Sequence, residues 1–475
     1  MKTKLFLFIL ISLIGCSPKN KADIDKVIKD NIESGNFTIV SQIIDSITED
    51  DAISEKDRIH YLFIKDSLYR VRLDFNKTID DIVSWIALNH EFTPSSSMIT
   101  EWENELSLEY RIIDGEKRYF RNAAPNLFRV NANALALSKK SVPKTDVPRD
   151  ELLVNAFIKK DNTETNYHYL LPPVSFKIKY TITVKPDVVN AGEIVRAWLP
   201  YPRTDISRQY NVSLVQSSQE DYVLSNNRTE HNSVYMEKRA VDGEPTSFYV
   251  IFKMTSQGEW FDLEKSDIEP YNINSDEYKF YTSERAPHIV FTDKLKSITD
   301  SVVGESSQPL EILQRCYSYV ASNYPWASAL EYSTIKNISE YAIDNRKGDC
   351  GQVAILLISM LRYKGIPAHW QSGWMLHPGE ENLHDWAEVY FKGIGWVPVD
   401  ISFARGGHIP IEPGREFFMS GIDSYRLYLN SDYSGQFFPD KKYPRSETVD
   451  FQRGEVETLQ GNLYFDKWSY SLEIL

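Results

Sequence analysis

Cys350, His384 and Asp400 are the residues in this chain whose types and settings suit thiol chemistry. A cysteine attacks an acyl carbon as its thiolate, so its site must favour the ionised form. Cys350 stands in Lys347-Gly348-Asp349-Cys350-Gly351, just before the apolar run Val353-Ala354-Ile355-Leu356-Leu357-Ile358. This predicts the first turn of a buried helix, where the macrodipole and unpaired N–H groups favour negative charge and can hold an oxyanion. Gly348 and Gly351 leave room for a substrate backbone. Downstream, Leu383 to Phe391 alternates so that His384, Trp386, Glu388 and Tyr390 share one face. Gly393-Ile394-Gly395 then turns the chain into Trp396-Val397-Pro398-Val399-Asp400. An antiparallel hairpin would bring His384 and Asp400 to one end, at diagonal cross-strand distance. There the aspartate would fix the imidazole tautomer, and the other ring nitrogen would take the thiol proton.

These residues need a helix and a sheet to hold them. A helix is expected over Val353 to Tyr363, stopped by Gly365-Ile366-Pro367, with strands over Ala368–Trp374, Leu383–Phe391 and Trp396–Asp400. Leu310 to Tyr319 has helical spacing and would carry Cys316 into the core. Earlier, Ser175–Val184 and Ser247–Met254 alternate strictly, and Ile194–Leu199 gives another strand. From Ala22 to Lys140 apolar residues recur at helical steps, as at Ile24, Val27 and Ile28, then Ile39, Ile43 and Ile44. Two prolines and mixed charge mark 139–149 as a linker. The chain therefore reads as a multidomain α+β protein. It has a mainly helical region at 17–150, a β-sandwich-like module at 165–262, an α+β catalytic core at 283–405, and a C-terminal extension at 406–475 that packs on the core. Strands are expected at the end of that extension, over Leu463 to Leu475.

Gly348-Asp349-Cys350-Gly351-Gln352-Val353-Ala354, the helix ending in Leu361-Arg362-Tyr363-Lys364-Gly365-Ile366-Pro367, the strand His384-Asp385-Trp386-Ala387-Glu388-Val389-Tyr390, and Gly395-Trp396-Val397-Pro398-Val399-Asp400 together resemble the transglutaminase-like superfamily core. The resemblance covers 310–405. It implies a papain-like α+β fold with Cys350 as nucleophile, His384 as base and acid, and Asp400 as the orienting residue. It also implies reactions that share an acyl-enzyme and differ in the acceptor. Hydrolysis of a peptide or amide is expected. Transfer from a protein glutamine to an amine and a non-catalytic peptide- or glycan-binding module are the alternatives. Spacing does not place the aromatic oxyanion donor of animal transglutaminases, for which Trp326 and Tyr332 are candidates. Trp326, Trp374 and Trp386 are candidate substrate-binding residues. No cofactor is expected. His369 and His377 lack the spacing of a zinc site with Cys350, so no metal site is expected. His377, before Pro378-Gly379, reads as an exposed loop residue at the cleft rim, and Glu388 as structural support.

The 475 residues carry a formal net charge of -14, which argues against nucleic acid as a partner. Their 42% apolar and 13% aromatic content is enough to build several cores. Lys2, Lys4 and the short apolar run Leu5–Ile14 read as a signal peptide over 1–16, and Leu13-Ile14-Gly15-Cys16 resembles a bacterial lipobox. Cys16 is then the lipidation site and the membrane partner is reached through its lipid, at the cell envelope and on the outer membrane of a Gram-negative bacterium. With Cys16 and Cys316 accounted for, Cys350 is the exceptional thiol. Its expected partner is a peptide or protein substrate, glycoproteins included.

Overall fold

The computed structural model describes residues 21–140, 148–405 and 417–475. The leader, Cys16 and the middle of the expected linker lie outside the described residues. Contacts divide the chain into two compact units, Met1–Ser141 and Val142–Leu475.

In the first unit, helices over Lys21–Glu33, Phe37–Thr48, Glu55–Asp74, Ile79–His90, Ser96–Asn104 and Ala123–Val130 each bury one stripe. Phe37, Val40 and Ile44 form the buried stripe of the second helix. The Ile79–His90 helix starts at a capping box, with Thr78 and Asp81 satisfying each other's backbone N–H groups. A short hairpin, Tyr110–Ile113 with Glu116–Tyr119, interrupts the helices.

The second unit holds the sandwich and a further four-stranded sheet. One sandwich sheet pairs Thr246–Ser256 with both Val174–Val184 and Gln209–Ser217, and the other pairs Ser233–Arg239 with both Ile194–Pro200 and Tyr222–Leu224. The C-terminal segment completes both sheets. Trp468–Ile474 pairs with Val174–Val184, and Glu455–Thr458 pairs with Ile194–Pro200. The tail is therefore part of the sandwich itself. The alternation of Val174–Val184 buries Phe176, Ile178, Tyr180, Ile182 and Val184 in the sandwich core.

This further sheet runs Gly395–Val399, Asn382–Phe391, Ala368–Met375, Arg426–Asn430, antiparallel throughout. The cysteine helix spans Cys350–Tyr363 and buries every residue from Gly351 to Arg362. Its far end is tied to the sheet by Arg362, whose Nε donates to the Ala368 carbonyl at 2.7 Å. Cys316 is fully buried in the Pro309–Asn323 helix, and burial pushes its thiol up to about 12. Among the described residues no helix is long and apolar enough to cross a membrane.

His288, buried with its Nδ1 unpartnered, gives this unit an acid-sensitive point. Burial lowers its pKa from 6.5 to about 4. As pH falls through 6.5 the unfolded chain takes up the proton first, so stability drops until the folded pKa is reached and then levels. Between pH 7 and pH 5 the wild type is expected to lose roughly 2 kcal/mol more than His288→Gln. Urea midpoints at the two pH values check this. An equal loss in both proteins rules out His288 as the source.

Candidate active site

Asp349 starts the cysteine helix. Its Oδ1 accepts from the Gln352 N–H at 3.0 Å, while Gln352 Oε1 accepts from the Asp349 N–H at 3.3 Å. This box makes Cys350 the first helical residue, at the positive end of the dipole. Tyr332 Oη adds a second donor to Asp349 Oδ1, at 2.6 Å. Cys350 is half-buried, and its thiol donates to Asp385 Oδ2 at 3.2 Å.

His384 has a different partner. Its Nε2 lies 2.7 Å from Asp400 Oδ2, and both side chains are buried. Strand pairing ends at Ala387 with Val399, so Asp400 falls just past the ladder, diagonal to His384. Asp400 Oδ1 accepts from the Ser402 N–H at 3.0 Å, and Arg426 Nη2 stands 3.0 Å from Asp400 Oδ2. Burial raises the Asp400 carboxyl, but His384 and Arg426 outweigh it and hold the group below its ordinary value. For His384, burial outweighs Asp400 and draws the imidazole down, with Arg426 adding to the fall.

His384 and Asp385 are successive residues of one strand, so they point to opposite faces. The first turn of the cysteine helix lies on the Asp385 face. A Cβ on Gly351 would stand 2.9 Å from Asp385 Oδ2 and 2.7 Å from the Trp370 ring, so glycine is what permits this approach. On the other face, His384 stacks on Phe403 at 4.9 Å between ring centroids. The structure thus brings His384 and Asp400 together and gives the thiol to Asp385. Among the described residues no hydrogen bond joins Cys350 to His384.

The site is also acidic. Burial first, then the charges of Asp450 and Asp349, push the Asp385 carboxyl well above the usual range. Burial, Asp385 and Asp349 push the Cys350 thiol up, against the pull of the helix dipole. This arrangement favours the Cys350 thiol over its thiolate.

Of the candidate tryptophans, Trp326 borders the site. It is 41% exposed and bridges to Gly348, two residues before Cys350. Trp374 does not line the cleft. It is buried in the sandwich core and its Nε1 donates to the Gln452 carbonyl at 3.1 Å. Trp386 is 0% exposed, because Arg208 and Arg426 cover its ring and Gln371 accepts from its Nε1 at 2.7 Å. Tyr332 is buried and spends its hydroxyl on Asp349. His377 was expected on an exposed loop and is instead 2% exposed, since Asp423 Oδ1 lies 3.0 Å from its Nε2 and draws it inward. His369 joins Glu388 at 3.0 Å and the Ser431 carbonyl at 2.9 Å, which gives Glu388 its supporting part. Among the described residues no group of three or more His, Cys, Asp or Glu side chains could hold a metal ion.

Asp385, Gln452 and Arg426 carry much of this geometry and were not singled out by spacing. Asp385 lay within the quoted strand motif. Gln452 and Arg426 come from the tail, where no periodic pattern points to them.

Residues 296–401, which hold the cysteine helix and three of the four strands of its sheet, match the family model of the transglutaminase-like superfamily, so this segment is a transglutaminase-like domain within a larger chain. The remaining similarities are more distant. YebA, an uncharacterized protein of Bacillus subtilis (strain 168), is 22% identical over 142 residues, which cover 26% of this chain and 19% of that protein. The chain thus spans about a fifth of the length of that relative. A structure described as a candidate cysteine protease from Cytophaga hutchinsonii is 15% identical, with a TM-score of 0.39, and covers 65% of this chain and 100% of that one. The periplasmic domain of TgpA from Pseudomonas aeruginosa is 13% identical, with a TM-score of 0.26, over 66% of this chain and 87% of that domain.

Proposed function

We propose that the protein is a thiol-dependent hydrolase of peptide or amide bonds. Cys350 acts as nucleophile, His384 as proton acceptor and donor, and Asp400 as the group that orients His384. The observation that carries the reading is the buried 2.7 Å His384–Asp400 pair, one residue along the strand from the side chain that holds the thiol. Asp400 on Nε2 leaves Nδ1 as the free lone pair of a neutral ring. Both partners sit near the strand's Asn382 end, and one residue of strand spans about 3.3 Å. Because His384 points to the opposite face of the strand, the thiol reaches it only if the first turn of the cysteine helix or the strand's Asn382 end moves.

In that position the S–H proton passes to His384 Nδ1 and the thiolate attacks the carbonyl carbon. The Cys350 and Gly351 N–H groups, which have no acceptor within the helix, face the developing oxyanion. Imidazolium then protonates the leaving amine as the C–N bond breaks. Water, giving its proton to His384, releases the acid and restores the thiol.

Incubation with an amide-bearing peptide, with and without a labelled primary amine, tests the proposal. Release of acid or of a cut chain is expected, with no amine incorporated, and with turnover lost in Cys350→Ala and His384→Gln. Cys350-dependent amine incorporation would replace hydrolysis by amine transfer. Binding of the peptide without any Cys350-dependent turnover would leave a binding module.

A further inference from the structure

Asp385 is placed and held in a way that the steps above do not use. Its Oδ1 accepts from Gln452 Nε2 at 2.7 Å, and the same nitrogen donates to the His384 carbonyl at 2.8 Å. The Gln452 carbonyl is itself anchored by Trp374 Nε1. One side chain from the tail thus clamps the backbone of His384 and the carboxyl of Asp385 together, and leaves Oδ2 facing the thiol. We infer that Asp385 is a positioning residue that holds Cys350 as an un-ionised thiol between turnovers, and that substrate entry must break this contact to hand the thiol to His384. The inference rests on Cys350 being the nucleophile.

The physical reason is charge. Two negative groups 3.2 Å apart in a buried site repel, so the Cys350 sulfur and Asp385 hold at most one negative charge between them, and a thiol that donates to Oδ2 leaves that charge on the carboxyl. The surroundings reinforce this. Asp349 faces the thiol from the helix cap, with Tyr332 bonded to it. Glu447 and Asp450 face Asp385 from the tail. Arg453, a cation beside this cluster, is shared between Glu331 at 2.6 Å and Glu447 at 3.3 Å, and Arg445 also acts on Asp450. Release breaks the S–H···O contact and moves the proton from sulfur to His384 Nδ1. Asp385 neither gains nor loses a proton.

Iodoacetamide alkylation of the full chain between pH 6 and 10, followed at Cys350 by peptide mapping, reads the thiol directly. Cys316 in the same digest serves as the reference for opening of the fold. In the wild type the Cys350 profile is expected to rise at a pH above that of an ordinary thiol. In Asp385→Asn the midpoint is expected to fall by about one unit or more, with about tenfold faster labelling at pH 7.5, while Cys316 stays protected. Asp385→Ala is expected to shift the profile in the same direction. A purely structural role would expose Cys316 as well, or leave the Cys350 profile where it was. A wild-type midpoint below the ordinary thiol range, or an unmoved profile in a folded Asp385→Asn, overturns the inference. Because alkylation needs no substrate, loss of the hydrolase reading would show in turnover and not in this profile.

Discussion

Asp400→Asn is expected to lower kcat on an amide substrate by about a thousandfold to ten-thousandfold, with little change in KM. The KM expectation follows from position, because Asp400 is buried and does not reach a substrate. The kcat expectation follows from donors. Two of them, His384 on Oδ2 and the Ser402 N–H on Oδ1, take the two carboxylate oxygens, with the Arg426 charge beside Oδ2. An asparagine has a single acceptor oxygen, and Arg426 and the Ser402 amide cannot become acceptors. Its NH2 group must therefore face His384 or the Ser402 amide, and His384 alone can adapt, by accepting at Nε2. The ring proton then moves to Nδ1, and the lone pair that would take the thiol proton is gone. Asp400→Glu, which keeps the charge, is expected to recover part of the rate. A fall in kcat of less than tenfold, in a variant with an unchanged near-ultraviolet spectrum, would remove Asp400 from the mechanism.

The parts of this site that were legible in the sequence are those set by short-range periodicity. Asp349 before Cys350 and an apolar run predicted the helix start, and alternation around His384 with a Gly393–Gly395 turn predicted the hairpin. Alternation says which residues share a face but not which face the helix covers. That is why Asp385, and not His384, turned out to hold the thiol. Burial of Trp386 was hidden for a related reason, since its cover comes from Arg208 and Arg426, far away in sequence. The tail was read as strands packing on the core, yet its strands complete both sandwich sheets, because edge pairing is satisfied by whichever segment folds back. One local signal went unread. Asp114-Gly115, with φ of 50° and 82°, forms the tight turn of the Tyr110–Tyr119 hairpin, inside a region read as mainly helical.

Arg426→Met is expected to destabilise the second unit by about 3–5 kcal/mol at pH 7, more than any surface substitution in it. The guanidinium is wholly buried and stacked on Phe403 at 4.6 Å. Its Nη2 lies 3.0 Å from both Asp400 and Asp423, and its Nε donates to Asp423 Oδ2 at 3.0 Å. Behind each carboxylate stands a histidine, giving the order His377, Asp423, Arg426, Asp400, His384. Methionine restores the apolar stem and removes the guanidinium charge that lies between the two buried carboxylates. Arg426 is among the groups that depress both Asp400 and Asp423. A depressed carboxyl contributes stability that is present above its unfolded pKa and is lost as pH falls through the folded value. The gap between wild type and variant is therefore expected to be largest at neutral pH and to narrow toward pH 4, where the unpaired carboxyls of the variant take up protons. Urea unfolding followed by tryptophan fluorescence at pH 7 and pH 4.5 measures this in the full chain, since every tryptophan except Trp85 and Trp102 lies in the second unit. A loss under about 1 kcal/mol, or a gap that holds constant with pH, would mean that Arg426 packs there without supporting the two charges. Because the same guanidinium touches the carboxylate that orients His384, the loss of this charge is expected to reach the site as well as the fold.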